Sequence, residues 1–215
     1  MPVTAKAPAK KVQTRDAERT RGQILAAARA AFARHGLAGA RVDAIAEAAR
    51  ANKRMIYYYF ADKEDLFLAT LEQIYAELSA ASEALDLDAS PETSLARYVD
   101  FMWTYYLENP EAIAILNSEN LHGGRHLKLS TRIREFEAPF VKKLSQMLRR
   151  GVEAGVFRGN VDAVSVHITV VALAYFFLGN NTTLSIFFGR DLSSPAARRA
   201  WRRHMQTTVK AMLAA

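Results

Sequence analysis

Cations and phenols cluster at the start of one short predicted helix, and these residue types bind nucleic acids. The helix is predicted to begin after Asn52 and to carry Lys53 and Arg54 in its first turn, with Tyr57 on the same outward face. A helix dipole disfavours cations in the first turn, so their placement favours a polyanion opposite them. Lys and Arg make the commonest specific contact to guanine, and an exposed Tyr57 can reach bases or thymine methyl groups.

A second short helix is predicted just before this one, over residues 42–49. Two short helices joined by a tight turn, with cations at the start of the second, have the geometry of a DNA-reading helix-turn-helix. Asn52 is a favourable N-cap for the reading helix, and Arg41, before the first helix, can reach a phosphate. Tyr59 and Phe60 are expected in the core behind it. The alternative is that the cations form an ordinary solvated surface.

The distribution of charge favours the nucleic-acid interpretation. Residues 1–63 hold 13 Lys and Arg against 5 Asp and Glu, whereas residues 64–215 hold 16 against 17, and the net charge is +7. All the excess positive charge therefore lies in the part of the chain that contains the two short helices. A basic surface that coincides with a helix-turn-helix is the pattern expected for phosphate binding.

Apolar residues recur with helical spacing, and no stretch of useful length alternates with a period of two. The sequence therefore predicts an all-α fold, with a three-helix helix-turn-helix domain over residues 16–62 and a larger C-terminal helical domain over residues 63–215. A disordered basic arm is predicted over residues 1–15. The predicted helices cover 17–35, 42–49 and 53–60, then Asp62 to the loop at Leu85, Pro91 to Asn109, 111–117, 132–151, 161–179 and 195–212.

Glycine and proline are expected to delimit several of these helices. Gly36 has the freedom to end the first helix in a left-handed conformation. Gly151 and Gly155 are expected to stop the helix that starts near Arg132, and Pro139 should kink that helix or mark its true start. The Gly123-Gly124 pair predicts a loop or kink over residues 121–125.

Composition excludes several classes of protein. Half of the residues are hydrophobic and none is cysteine, so the chain can build a core without disulfides and lacks a thiol nucleophile or thiolate metal site. The basic N-terminal run has no apolar segment of the kind that a signal peptide needs. The longest apolar run, residues 168–178, is too short to span a bilayer, and Asn180 and Asn181 argue against extending it. A cytoplasmic protein without a membrane partner is expected.

The C-terminal domain is rich in aromatic and soft side chains with a few polar groups among them, which is the composition of a small-molecule pocket. The alternative for each residue alone is ordinary core packing. The candidate ligand-binding residues are Met102, Trp103, Tyr106, Asn117, Asn120, His122, Phe136, Phe140 and Phe177.

An enzymatic site is the competing hypothesis for this domain. Its support is the group Glu119, His122 and His126, which could serve acid–base chemistry or bind a metal. The chain has no His-Glu-x-x-His pattern, no phosphate-binding loop and no nucleophile–base–orienter arrangement. We therefore expect no enzyme activity, no metal and no cofactor.

Two predicted helices carry features of a subunit interface. The helix over 161–179 is nearly all apolar, and the helix over 195–212 carries Trp201, Met205 and Val209 on one side. Two such helices from each subunit could form a four-helix seam in a homodimer. The alternative is packing within one chain.

Residues 20–66 resemble the DNA-binding domain of the TetR/AcrR family of bacterial transcriptional regulators. The motifs are Thr20-Arg-Gly-Gln-Ile-Leu-Ala-Ala-Ala28, Phe32-Ala-Arg-His-Gly-Leu37, Val42-Asp-Ala-Ile-Ala46 and Ile56-Tyr-Tyr-Tyr-Phe-Ala-Asp-Lys-Glu-Asp-Leu66. The segments 116–122 and 181–191 are similar to a subgroup that includes nicotinate-degradation repressors. The remaining helices fit the family's variable C-terminal domain in number and order.

The resemblance implies a homodimer whose two recognition helices read the half-sites of a near-palindromic operator. It also implies a ligand pocket in each C-terminal domain, with release of DNA when a small molecule binds. Tyr58 and Lys63 match family positions that grip the phosphate backbone. The expected function is a ligand-responsive repressor, and a transcriptional activator of the same fold remains the alternative.

The chain departs from the family pattern in two places. The turn reads Arg50-Ala51-Asn52 where members often have Gly-Val-Ser, so Arg50 must adopt a conformation that glycine adopts more easily. Ala40-Arg41 replaces a common threonine before the second helix, which weakens capping there.

Overall fold

The computed structural model describes the backbone of residues 9–215 and the side chains of residues 16–133, 135, 136 and 139–215. The predicted basic arm lies outside the described residues over 1–8. The described chain is helical, with one isolated bridge between Phe157 and Ala214, which confirms the predicted all-α fold. Its α-helices are α1 (Ala9–Gly39), α2 (Val42–Ala48), α3 (Lys53–Tyr59), α4 (Lys63–Glu83), α5 (Pro91–Glu108), α6 (Pro110–Leu121), α7 (Ile133–Glu153), α8 (Ala163–Phe188) and α9 (Pro195–Leu213), and a 3-10 helix spans Leu127–Leu129.

The chain forms two compact units. The first unit extends to Leu71 and also takes in Ala114–Leu129, and the second holds Glu72–Ile113 and Ser130–Ala215. The boundary predicted between residues 62 and 63 stays a prediction.

The first unit is built on a small apolar core. Ile24, Phe32, Ile45 and Ile56 are fully or almost fully buried. Phe67 joins them, and its ring meets that of Phe32 edge-on at 5.0 Å between centroids. Each such side chain contributes roughly 1.5–3 kcal/mol by leaving water, so these few residues can hold α1, α2 and α3 together.

Gly36 interrupts α1, as predicted, but not in the left-handed helical conformation that was expected. Its φ of 65° and ψ of 177° lie outside the helical region, and a short further turn continues to Gly39. The Ala40 amide donates to the Gly36 carbonyl at 3.2 Å. A residue with a Cβ is strained at this φ, which explains the glycine.

The second unit packs around α5, whose Tyr98, Met102 and Trp103 are buried. Helices α5 and α9 begin as predicted, each with proline in its first turn. The N-caps are Ser90 and Ser194, whose hydroxyls accept backbone amides of the first turn.

Helix α8 is longer than predicted, because it continues past Gly179 to Phe188. The Asn180 amide donates to the Phe176 carbonyl at 2.9 Å, and the Ser185 hydroxyl donates to the Asn181 carbonyl at 2.5 Å. These polar groups are satisfied on the helix itself, so they do not end it. By length and composition alone, α8 could cross a membrane.

Helix α7 continues past Gly151 to Glu153 with Pro139 inside it, so the prediction was wrong for Gly151. Gly155, with a φ of 69°, directly follows the C-cap Ala154 and lies at the end of the helix as predicted. A Cβ on Gly151 would lie 1.9 Å from the Phe157 ring. The glycine therefore serves close approach of this ring rather than termination of the helix.

Candidate nucleic-acid interface and effector cavity

The turn between α2 and α3 has the conformation that the sequence predicted. Arg50 has a φ of 51°, a region that costs an L residue about 1–2 kcal/mol. The amide of Ala51 donates to the Ala46 carbonyl at 3.0 Å and closes the turn. Asn52 then caps α3, and its side-chain oxygen accepts the Met55 amide at 2.9 Å. Arg41 precedes α2 without a side-chain capping bond.

Helix α3 separates an inner from an outer face. Ile56 and the following Phe60 are buried, which fixes the rotation of the helix. On the outer face Lys53 and Arg54 are exposed, and Tyr57 and Tyr58 expose 47% and 80% of their surface. The structure therefore brings two cations and two phenols together on one solvent-facing surface.

Lys53 is oriented by an ion pair with Asp43 of α2, at 2.8 Å between Nζ and the carboxylate. The hydrogen bond from Lys53 lowers the pKa of Asp43, and the same bond raises the pKa of Lys53. Both side chains are largely exposed, so the pair contributes little to stability and can exchange for another anion.

Lys63 does not point freely into solvent. Its ammonium donates to the Ala38 and Ala40 carbonyls, both at 3.3 Å. It thereby ties the start of α4 to the α1–α2 junction. An ammonium has three donors, so one remains for a phosphate.

The candidate ligand-binding residues fall into both units. Asn117 and Asn120 are exposed on α6 in the first unit. His122 is in the same unit, and its Nδ1 lies 2.6 Å from the Ser118 carbonyl. The six aromatic and methionine candidates are in the second unit.

A cavity in the second unit takes up three of those six, Met102, Phe136 and Phe140. Its free space is about 30 Å³, enough for about one or two waters, so side chains must move to admit a larger molecule. The lining residues are Tyr75, Leu78, Ser79, Ser82, Phe101, Met102, Phe136, Phe140, Val141 and His167.

The other three aromatic candidates pack outside this cavity. The Tyr106 ring meets that of Tyr175, and Trp103 lies 6.0 Å from Phe177. Phe177 in turn stacks on Trp201 at 4.5 Å between centroids.

The sequence analysis did not name the cavity residues of α4 or His167 as ligand-binding candidates. The α4 residues are Tyr75, Leu78, Ser79 and Ser82. Ser79 and Ser82 are three residues apart, among apolar neighbours on a predicted helix, and that spacing was an available signal. The hydrogen bond between the Tyr98 hydroxyl and His167 Nδ1, at 2.8 Å, joins residues 69 apart in the chain and left no local pattern.

Helices α8 and α9 present a second, open apolar surface, which we call the α8–α9 face. Phe176 and Phe188 of α8 are exposed on it. Phe176 and Phe188 line a groove whose α9 wall includes Trp201 and His204. Contiguous exposed apolar area of this kind marks an interaction site.

The acid–base candidates form a closed network in the first unit. His126 is buried, and its two ring nitrogens lie 2.5 Å from carboxylate oxygens of Glu119 and Glu64. Glu119 also accepts the amides of His126 and Leu127 at 2.9 and 3.0 Å. The hydrogen bond from His126, followed by the charge of Arg125, lowers the pKa of Glu64.

With both imidazole nitrogens occupied, this network is suited to holding helices together rather than to catalysis. His122 bonds the Ser118 carbonyl instead of a carboxylate, and the centroid of its ring lies 5.9 Å from that of His126. Within the part of the chain that the structure describes, no three His, Cys, Asp or Glu residues are arranged to hold a metal ion.

Comparison with protein families gives two matches. Residues 24–70 match the tetR family of bacterial regulatory proteins, and residues 91–209 match the tetracyclin repressor-like C-terminal domain. Together they cover α2 and α3 and most of the second unit.

Two curated relatives share most of the chain's length. The HTH-type transcriptional repressor NicS of Pseudomonas putida is 39% identical over 191 residues, which are 88% of this chain and 90% of NicS. The HTH-type transcriptional repressor SCO4008 of Streptomyces coelicolor is 34% identical over 161 residues, covering 74% of this chain and 79% of that repressor.

Solved structures share the fold. A transcriptional regulator of Streptomyces coelicolor, SCO4942, superposes with a TM-score of 0.67 at 27% identity, over 90% of this chain and 98% of its own. The fatty acid degradation regulator FadR of Bacillus halodurans gives 0.65 at 20% identity, over 94% and 97% of the two chains, a likeness of fold alone.

Proposed function

Because this chain belongs to the TetR family of bacterial transcriptional regulators, we propose that it is a homodimeric cytoplasmic repressor that a small molecule releases from a palindromic operator. The outer face of α3 is the proposed reading surface. Lys53, Arg54 and Tyr57 are the proposed base contacts, and Arg41, Tyr58 and Lys63 are the proposed phosphate contacts. Asn52 supports them as the cap that starts the helix.

The proposal rests on α3, a helix that is fixed in a core on one side and exposes charged and aromatic side chains on the other. Two phenols and two cations are held outward by a helix whose inner face, through Ile56, is anchored in a core. A surface kept rigid from behind can present side chains to base edges without a large ordering cost. The relatives NicS and SCO4008 are repressors by name, which favours repression over activation.

Selection of bound duplexes from a random DNA pool, at near-physiological salt, tests the reading surface. We expect a near-palindromic site, with an affinity that falls steeply as salt rises because several phosphates are contacted. Lys53→Ala and Tyr57→Ala should abolish specific binding with the helical content unchanged. Lys142→Ala, which removes one exposed cation from α7, is the matched control and should bind normally.

The assignment of these residues would be overturned if the selection recovered only unspecific sequences. It would also be overturned if both α3 variants bound the operator as tightly as the parent does.

The α8–α9 face is the proposed dimer interface. A partner subunit on this face would cover apolar residues of α8 that are exposed in the single chain, such as Phe176 at 57% exposure, so no membrane is needed to explain them. We expect a dimer at micromolar concentration and a monomer for Phe176→Glu in light scattering. Leu129→Glu replaces an exposed leucine of the first unit and should remain dimeric. A parent protein with a monomeric mass would count against the whole mechanism.

The cavity that α4, α5, α7 and α8 line is the proposed effector site. Met102, Phe136 and Phe140 are its proposed apolar contacts. Pro139, inside α7, lacks the amide that would bond the carbonyl four residues before it, which weakens the helix between Phe136 and Phe140. Movement of these two rings is the proposed way for the cavity to open. Trp103, Tyr106 and Phe177 are proposed to support the wall of this cavity. Asn117, Asn120 and His122 stay proposed ligand contacts, although they are not among the residues that line it.

A further inference from the structure

The effector cavity holds few polar groups, and their bonding restricts what they can offer a ligand. The Ser79 hydroxyl donates to the Phe136 carbonyl at 2.9 Å, and the Ser82 hydroxyl donates to the Ser79 carbonyl at 2.7 Å. Both hydroxyls can therefore only accept from a ligand. Among the side chains that the structure describes, those that line the cavity include no Lys, Arg, Asp or Glu. Within this described lining, the side chains that can donate a hydrogen bond to a ligand are Tyr75 and His167.

His167 is held in one orientation by Tyr98. The Tyr98 side chain is fully buried, and its hydroxyl lies 2.8 Å from Nδ1 of His167. Within the described residues, the hydroxyl has no other hydrogen-bond partner. If Nδ1 carried the proton, the buried O–H of Tyr98 would have no acceptor, at a cost of about 1–3 kcal/mol. The phenol therefore donates, and Nδ1 accepts.

This bond fixes the tautomer of the imidazole. Burial lowers the pKa of His167 below its ordinary value, and burial raises the pKa of Tyr98, so both groups are neutral near pH 7. A neutral imidazole whose Nδ1 accepts must carry its proton on Nε2. Among the residues that the structure describes, no protein group bonds Nε2. His167 lines the cavity, so the Nε2 edge is the one left for a ligand.

The rings beside His167 favour a planar partner. The ring of Phe140 meets that of His167 edge-on at 5.5 Å, and Phe101 and Phe136 also line the cavity. Aromatic side chains bind flat apolar molecules by stacked and edge-to-face contacts. A ring among them would bring a substituent within reach of Nε2.

We propose, building on the proposed effector-controlled function, that His167 determines the specificity of the cavity. Its Nε2–H donates to an oxygen acceptor, of carbonyl or carboxylate type, on a small aromatic effector. Tyr98 is the positioning residue that keeps this proton on Nε2.

The test compares rings with and without an oxygen acceptor on the full-length protein. Benzamide and benzoate carry a carbonyl and a carboxylate, and toluene carries neither. We expect at least one of the two acceptor-bearing rings to bind more tightly than toluene in calorimetry, by about tenfold for one added hydrogen bond. Whichever binds better identifies the carbonyl or carboxylate form. The same ring should release the selected operator in fluorescence anisotropy.

Three variants separate recognition from folding. His167→Phe alone strands the buried Tyr98 hydroxyl, so the double variant Tyr98→Phe/His167→Phe removes both polar groups together. It should bind toluene as the parent does and lose the preference for the acceptor. His167→Gln, which restores a donor, should recover part of it. Tyr98→Phe alone should weaken the preference, because the tautomer is no longer fixed.

The outcomes distinguish recognition by His167 from the existence of the effector cavity. If the acceptor-bearing ring binds and releases the operator equally well in the double variant, the role of His167 is refuted and the effector cavity stands. If the parent binds none of the three rings, both the recognition by His167 and the cavity as an aromatic effector site are refuted.

Discussion

Replacement of Glu119 should destabilise the first unit strongly, because this buried carboxylate accepts hydrogen bonds from three donors. It accepts the amides of His126 and Leu127 at 2.9 and 3.0 Å and the His126 ring at 2.5 Å. Only 1% of its surface is exposed. Glu119→Leu keeps a similar volume but leaves all three donors without an acceptor.

The expected loss follows from the geometry. Each buried donor that is left without an acceptor costs about 1–3 kcal/mol, so the loss of an acceptor for three donors should reach several kcal/mol. Glu119→Gln retains one oxygen for the two amides, and its NH₂ can donate to Nδ1 once that nitrogen has given up its proton, while Nε2 keeps its bond to Glu64. That variant should therefore lose only about 1–2 kcal/mol.

Urea unfolding followed by circular dichroism measures both losses. Asp86→Asn breaks an exposed ion pair with Arg97 and serves as the control, which should leave the midpoint nearly unchanged because exposed pairs contribute little. If Glu119→Leu shifts the midpoint no more than this control, the stabilising role of the network is refuted, because its loss would not change the free energy of unfolding.

Two further perturbations test the second unit. Gly151→Ala should destabilise by roughly 1–3 kcal/mol through overpacking against Phe157, whereas Gly22→Ala in α1, where a new Cβ meets open space, should be neutral or stabilising in the same unfolding assay. Burial lowers the pKa of His167, so the unfolded chain binds this proton more readily and stability should fall as pH drops through the ordinary value near 6.5. Unfolding of the parent and of Tyr98→Phe/His167→Phe at pH 7.5 and 5.5 should show a smaller loss in the variant, and equal losses would contradict the burial of a neutral imidazole.

Local signals in the sequence were sufficient for most helix starts. Asn52, Asp62, Ser90 and Ser194 each cap a helix through bonds to an amide two or three residues ahead, so their effect is visible in a short window. The inward face of α3 was predictable for the same reason, because helical periodicity is a local property.

Features that depend on distant partners were not predictable. His126 contacts Glu64 from 62 residues away, and Tyr98 contacts His167 from 69 residues away. No spacing rule links such pairs before the helices are packed. Gly151 illustrates the same limit, since its reason is the Phe157 ring against it rather than the end of a helix.

The composition of the first unit has a consequence for building hybrid regulators. Its residues come from two stretches of chain, because Ala114–Leu129 belongs with the helices that precede Leu71. A hybrid made by one cut after the start of α4 would take Glu64 and Phe67 but leave behind His126, whose ring lies 5.0 Å from that of Phe67. Such a graft would carry an exposed phenylalanine and an unpartnered carboxylate. A first unit transplanted from this protein therefore needs both stretches of chain, and Ala114–Leu129 must come with the residues up to Leu71.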